Sequence, residues 1–215
     1  MYTFEWVAAV VAGLASMLIT FRLLADAGLL EFKQILSARG AAIGGVTLGL
    51  FLIAIAPTGK PEFGAANLAA AAVALVSAPL FLIDRRDHRL PNPITYSLIG
   101  IAAFLAAETA NFAADWWLFG YALIWAAIPF VFMLLMVLLS RGGVGMGDAK
   151  LVAGLGLVAA ITSGRLALTS LAAGFLLGGI YALVLLVTKK ATRKTEFAFG
   201  PFLLAGFWVA YLLLR

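Results

Sequence analysis

Residues 117–139 read WLFGYALIWAAIPFVFMLLMVLL, without one charged side chain. A helix needs about 20 apolar residues to cross the hydrocarbon of a bilayer, so this run is long enough for one crossing. Similar apolar runs recur at about 5–24, 41–57, 66–83, 93–110, 149–163, 166–188 and 197–214, separated by short polar loops. The 215 residues are 64% hydrophobic and 12% charged, with a mean hydropathy of +1.08. Soluble domains run at roughly 45–50% apolar and about 25% charged, so a water-soluble globule of this size has no place to hide such a surface. A disordered chain is excluded on the same ground. The expected fold is all-α: one integral-membrane domain over 1–215, with about eight transmembrane helices. The run at 149–163 is short and glycine-rich, and reads either as a tilted span or as a helix buried among its neighbours.

Charge sets the expected orientation. The first residues, Met1 to Trp6, carry no Lys or Arg. A secretory signal begins with a basic segment, so 5–24 is read as a retained first span. With the amino terminus outside, the inner loops hold Arg22, Lys33, Arg39, Arg85, Arg86, Arg89, Arg141, Lys150, Lys189, Lys190, Arg193 and Lys194. That is 12 of the 15 basic residues, leaving Lys60, Arg165 and Arg215 outside. The asymmetry is that of the positive-inside rule, and it places both termini outside. Trp116 and Trp117 then fall at the outer interface, where amphipathic rings anchor a span.

Several chemistries drop out at once. The chain has no cysteine and a single histidine, His88. Thiolate catalysis, cysteine-ligated zinc and paired-histidine metal sites are excluded. The net charge of +5 is spread between spans and reads as topology, not as a nucleic-acid footprint. The lipid bilayer is the partner that composition names. The glycines from Gly142 to Gly147 are followed by Asp148, not by the Lys-Ser/Thr of a phosphate-binding loop.

Of the 10 acids, most lie in loops, but two stand at the ends of apolar runs. Asp84 closes the run 66–83, and Asp148 opens the run 149–163. Between them the chain crosses the membrane twice, so both carboxylates return to one depth on the inner face. Paired carboxylates near hydrocarbon repel each other and resist ionisation, so they share one proton and titrate as a unit. The ionised member can take a proton from water while the protonated member polarises a carbonyl. Each acid also has a plainer reading. Asp148 is a good N-cap for the helix that follows it. Asp84 can pair with Arg85 or Arg86, and Asp87, three residues on, is its rival as the first carboxylate.

The stretch Asp84-Arg85-Arg86-Asp87-His88-Arg89-Leu90-Pro91-Asn92, with Thr95 beyond it, resembles the first aspartate motif of type IV prepilin peptidases. Gly145-Met146-Gly147-Asp148-Ala149-Lys150-Leu151 resembles that family's second motif, Gly-x-Gly-Asp followed by Lys-Leu. Phe199-Gly200-Pro201-Phe202-Leu203 is similar to its carboxy-terminal Phe-x-Pro-Phe-Leu. The likeness covers about 66–214, and the three motifs fall in the family's order. It implies an intramembrane aspartyl protease that cuts a short basic leader from type IV pilin-like precursors at the cytoplasmic face. It implies Asp84 and Asp148 as the catalytic pair, no cofactor, and a prokaryotic inner membrane as the location. Longer members carry a zinc-binding cytoplasmic domain associated with N-methylation. Here the interval at 25–40 is too short for a domain, so the resemblance implies peptidase activity without methyltransferase activity.

Supporting roles follow from residue type. Gly143, Gly145 and Gly147 leave backbone bare, so an extended substrate can pair with it as an added strand. Lys150, two residues past Asp148, faces away from it on a helix and meets lipid headgroups or tunes the pair's charge. Asn92 and Thr95 are candidate caps for the fourth span, behind Pro91. Pro201 suits the first turn of the last span. A small proton- or cation-coupled transporter is the competing function, and a membrane scaffold with Asp148 as a helix cap is a third.

Overall fold

The computed structural model describes residues 18–22, 24–26, 28, 38–55, 64–139, 144–189 and 198–214. Among these, every regular element is an α-helix. They are α1 (Ala38–Ile55), α2 (Gly64–Asp87), α3 (Asn92–Phe112), α4 (Trp117–Leu139), α5 (Met146–Thr162), α6 (Gly164–Val187) and α7 (Gly200–Leu214). Four of them, α2, α3, α4 and α6, are long and apolar enough to cross a membrane; α1 and α7 are shorter apolar helices. Each of these seven coincides with an apolar run of the sequence. The first expected span, 5–24, lies mostly outside the described residues, as does Gly143.

α5 is the core. From Asp148 to Ala160 nearly every residue is buried, and α2, α3, α4, α6 and α7 all pack against it. The expected burial of this segment among its neighbours is observed. Its small residues explain how. A Cβ on Gly154 would stand 3.1 Å from Leu98 of α3, and one on Gly156 would stand 3.0 Å from the Ala126 backbone of α4. In lipid, where no hydrophobic effect drives helices together, such close backbone approach supplies the packing energy. The outer surface is the reverse: Leu138, Leu139, Leu183 and Val187 are among its exposed apolar side chains. Trp116 and Trp117 are exposed at the α3–α4 turn.

Several backbone groups that the helices leave open are met by side chains, which suits an apolar surrounding. Pro79 lies inside α2 and cannot donate to the carbonyl four residues back, that of Leu75. The Thr20 hydroxyl donates to that carbonyl at 3.1 Å, fixing the segment around 18–26 to α2. The Ala54 carbonyl, in the last turn of α1, accepts from the Tyr211 hydroxyl of α7 at 3.2 Å. Ser163 separates α5 from α6 and caps α6, its hydroxyl accepting from the Leu166 N–H.

Candidate active site

α2 does not end at Asp84; it runs one turn further, to Asp87. Asp84 therefore sits inside the helix, 4% exposed, facing its neighbours. His88 closes the helix with a left-handed backbone, φ 50°, and its N–H donates to the Asp84 carbonyl. The Asp84 carboxylate reaches the start of α7, where Oδ2 accepts from the Gly200 N–H at 3.0 Å. The first N–H groups of a helix have no partner within it, so this donor is free for the acid. Glycine is needed there: a Cβ on residue 200 would lie 2.8 Å from Asp84 Oδ2.

Asp148 is the third residue of α5 and is also buried. It does not stand ahead of the helix as an N-cap; Gly145 holds that position. The two exchange hydrogen bonds, Gly145 N–H to Asp148 Oδ2 at 3.3 Å and Asp148 N–H to the Gly145 carbonyl at 3.1 Å. Asp148 lies outside the four long spans. Burial, and secondarily the charge of Asp84, push its carboxyl up to about 7, against the opposing pull of the Gly145 N–H.

Leu90 joins the two elements. It is 8% exposed, in the extended stretch between α2 and α3. A Cβ on Gly147 would stand 3.0 Å from the Leu90 Cβ, and one on Gly200 would stand 3.4 Å from its Cδ1. One apolar side chain thus fills the space beside Gly200, the partner of Asp84, and beside Gly147, the residue before Asp148. Nothing in the residue type of Leu90 announced this. Its signal is position: it is the lone apolar residue between a charged run and Pro91. Gly200 was equally unforeseen, although it sits inside the third quoted motif.

The remaining residues are placed as follows. Asp87 is exposed and bound to Arg86 through two contacts of 2.7 Å. Among the described residues the ion pairs are Arg86–Asp87 and Arg22–Asp26, and neither involves the buried acids. Pro91 is the N-cap residue of α3, without a side-chain cap, and Pro93 lies in the first turn. Neither Asn92 nor Thr95 caps the helix. The Thr95 hydroxyl, buried, donates back to the carbonyls of Pro91 and Asn92. The Asn92 amide oxygen accepts from Lys150 Nζ at 2.8 Å, and that ammonium also lies 4.8 Å from the Tyr96 ring centre. Lys150 does face away from Asp148, but toward α3, where it ties the second motif to the first. Gly147 is helical and packed on Leu90, and the Gly145 N–H is occupied by Asp148, so neither presents free strand-like backbone. Pro201 follows Gly200 and lines a cleft between α1, α2 and α7.

Two buried carboxylates from different helices, each holding a glycine N–H and close enough for their charges to interact, can divide the work of an acid and a base. The sequence model of the type IV leader peptidase family matches residues 70–183, which include both aspartates. The chain belongs to the type IV leader peptidase family. It is similar to the prepilin leader peptidase/N-methyltransferase of Bacillus subtilis, 35% identical over 127 residues, covering 57% of this chain and 46% of that protein. The Pseudomonas aeruginosa protein of the same description is 30% identical over 138 residues, covering 61% and 44%. That of Xanthomonas campestris is 29% identical over 153 residues, covering 71% and 50%. The chain spans about half the length of these curated relatives. No solved structure matches it. The family match ends before Gly200, so the donor to Asp84 lies outside it.

Proposed function

We propose that this protein is a multi-pass aspartyl endopeptidase that removes the short basic leader from type IV pilin-like precursors at the cytoplasmic face of a prokaryotic inner membrane. The observation that carries this reading is that Asp84 and Asp148 are both buried, each accepting a glycine N–H, and that the charge of Asp84 is felt at Asp148; among the described residues neither is in an ion pair with Lys or Arg. Family membership supports the substrate class, and the distribution of Lys and Arg supports eight spans with the site on the inner side.

The chemistry divides between the two acids. Asp148 keeps the shared proton up to about pH 7. Asp84, ionised, takes a proton from water, and the resulting hydroxide attacks the scissile carbonyl. Asp148 gives its proton to the carbonyl oxygen, forming a neutral tetrahedral diol. The proton on Asp84 then passes to the amide nitrogen as the C–N bond breaks. Asp148 recovers its proton from the departing diol hydroxyl as the new carboxylic acid forms. No cofactor enters these steps. The short interval at 25–40 and the absence of cysteine support a peptidase without methyltransferase activity.

The test is Asp84→Asn and Asp148→Asn, made separately, with cleavage of a pilin-type precursor followed in membranes. Each variant should insert and fold normally yet lose cleavage by at least 10³-fold. Normal processing by either variant would overturn the pair.

A further inference from the structure

His88, Arg89, Leu90 and Pro91 alone connect α2 to α3, and the connection is fixed at both ends. At α2, the His88 N–H donates to the Asp84 carbonyl. At α3, the Thr95 hydroxyl donates to the Pro91 and Asn92 carbonyls, and the Asn92 side chain accepts from Lys150 of α5. Pro91 restricts the residue before it to extended backbone. Leu90 therefore stands on a short strap that runs from the helix of one acid to the helix of the other.

The contacts of this side chain lie on the elements of both acids. Gly147 precedes Asp148, and a Cβ there would stand 3.0 Å from the Leu90 Cβ and 3.4 Å from the Leu90 nitrogen. Gly200 donates to Asp84, and a Cβ there would stand 3.4 Å from the Leu90 Cδ1. The root of the side chain thus bears on α5 and its tip on α7. Leu98 of α3 also packs on a glycine of α5, since a Cβ on Gly154 would lie 3.1 Å from its Cγ and Cδ2. That contact is about 9 Å along α5 from Asp148, at 1.5 Å per residue. The chain therefore carries two buried leucines on two glycines of one helix, with Leu90 the one beside the acids.

We infer that Leu90 is a positioning residue for the pair: seated between Gly147 and Gly200, it sets the gap between the Asp84 and Asp148 carboxylates. The inference rests on the peptidase reading above. Without the side chain, α7 and the carboxylate it holds lose their stop, and water enters the space beside Asp148. The charges that bear on the acids stay as they are. His88 acts on Asp84 and the acids act on each other, while Lys150 is held by Asn92 and Arg86 by Asp87. Arg85, Arg89 and Lys189 are exposed.

The test compares Leu90→Ala with Leu90→Met, which conserves the volume, and with Leu98→Ala, which empties a similar space away from the acids. Leu90→Val is a milder form that keeps the contact at Gly147 and lacks the tip that reaches Gly200. Cleavage of a pilin-type precursor and carboxyl-labelled aspartate NMR are followed for each protein. In Leu90→Ala kcat should fall by about 10- to 100-fold with KM little changed, and in Leu90→Val by less. In both, the Asp148 midpoint should move down from about 7 toward 3.8, as water reaches it and the Asp84 charge recedes. Leu90→Met should keep kcat and midpoint near those of the parent. Leu98→Ala should lower Tm at least as much as Leu90→Ala and leave the Asp148 midpoint in place. A midpoint unmoved in both Leu90→Ala and Leu90→Val, or moved as far by Leu98→Ala, overturns the inference, as does an unchanged kcat. The midpoint is read without substrate, so it stands apart from the peptidase reading, which falls instead if the unsubstituted chain cleaves no precursor.

Discussion

Replacing Asp148 by asparagine should make the protein more stable above neutral pH while abolishing its activity. The carboxyl of Asp148 holds its proton to about pH 7, where an ordinary aspartate releases it near 3.8. In the unfolded chain that proton leaves at the ordinary value. Between the two, the folded state binds the extra proton, so its stability is full below about 3.8 and declines as the pH climbs through about 7. At about 1.4 kcal/mol per pH unit, the loss by pH 8 is on the order of 4 kcal/mol. Asparagine has nearly the same shape, its amide oxygen can still accept the Gly145 N–H, and it carries no charge to bury. Thermal unfolding in detergent at pH 5 and pH 8 measures this directly. The parent's Tm should fall between the two, while that of Asp148→Asn should change by much less, making the variant the more stable protein at pH 8. Parallel pH dependence in the two proteins would refute the burial of an acid at this position.

Further outcomes follow from the same geometry. The kcat/KM for leader removal should decline as pH rises through about 7, as Asp148 loses the proton it donates; a rate that climbs from pH 7 to pH 9 would be incompatible with this role. Gly200→Ala sets a methyl group 2.8 Å from Asp84 Oδ2, forcing the carboxylate aside. Misplacing a reacting group by about 1 Å costs on the order of 10²-fold, so kcat should drop by about 10- to 100-fold with KM little changed, and unaltered kcat would show that the contact is dispensable. Lys150→Met removes the ammonium that joins Asn92 and Tyr96. An exposed charged hydrogen bond of this kind is worth about 1 kcal/mol, expected as a Tm lower by about 2–4 °C.

The helices were legible because hydrocarbon imposes a length and a composition on each of them. The run at 117–139 became α4 with the same limits. The run at 66–83 fell short at its polar end, since α2 carries the charged Asp84 to Asp87 in a last turn that hydropathy cannot see. The two aspartates were visible as acids at the ends of apolar runs, but the choice between Asp84 and Asp87 rested on motif spacing. The structure adds a physical difference between them: one is buried on a backbone N–H, and the other is exposed on Arg86. What the sequence hid was every contact between distant segments. The Gly200 N–H, the Leu90 side chain and the Lys150–Asn92 bond are made across 116, 57 and 58 positions of chain, and periodicity within one helix carries no information about them.

The central claim is that Asp84 and Asp148 act on each other, and the titration of Asp148 in the presence and absence of the Asp84 charge tests it most directly. The chain has only five aspartates, so carboxyl-labelled aspartate NMR of the parent and of Asp84→Asn can follow each one. Since part of the upward push on Asp148 comes from Asp84, its midpoint should move down from about 7 when Asp84 becomes neutral. A midpoint that stays in place would mean that the two carboxylates do not share a site.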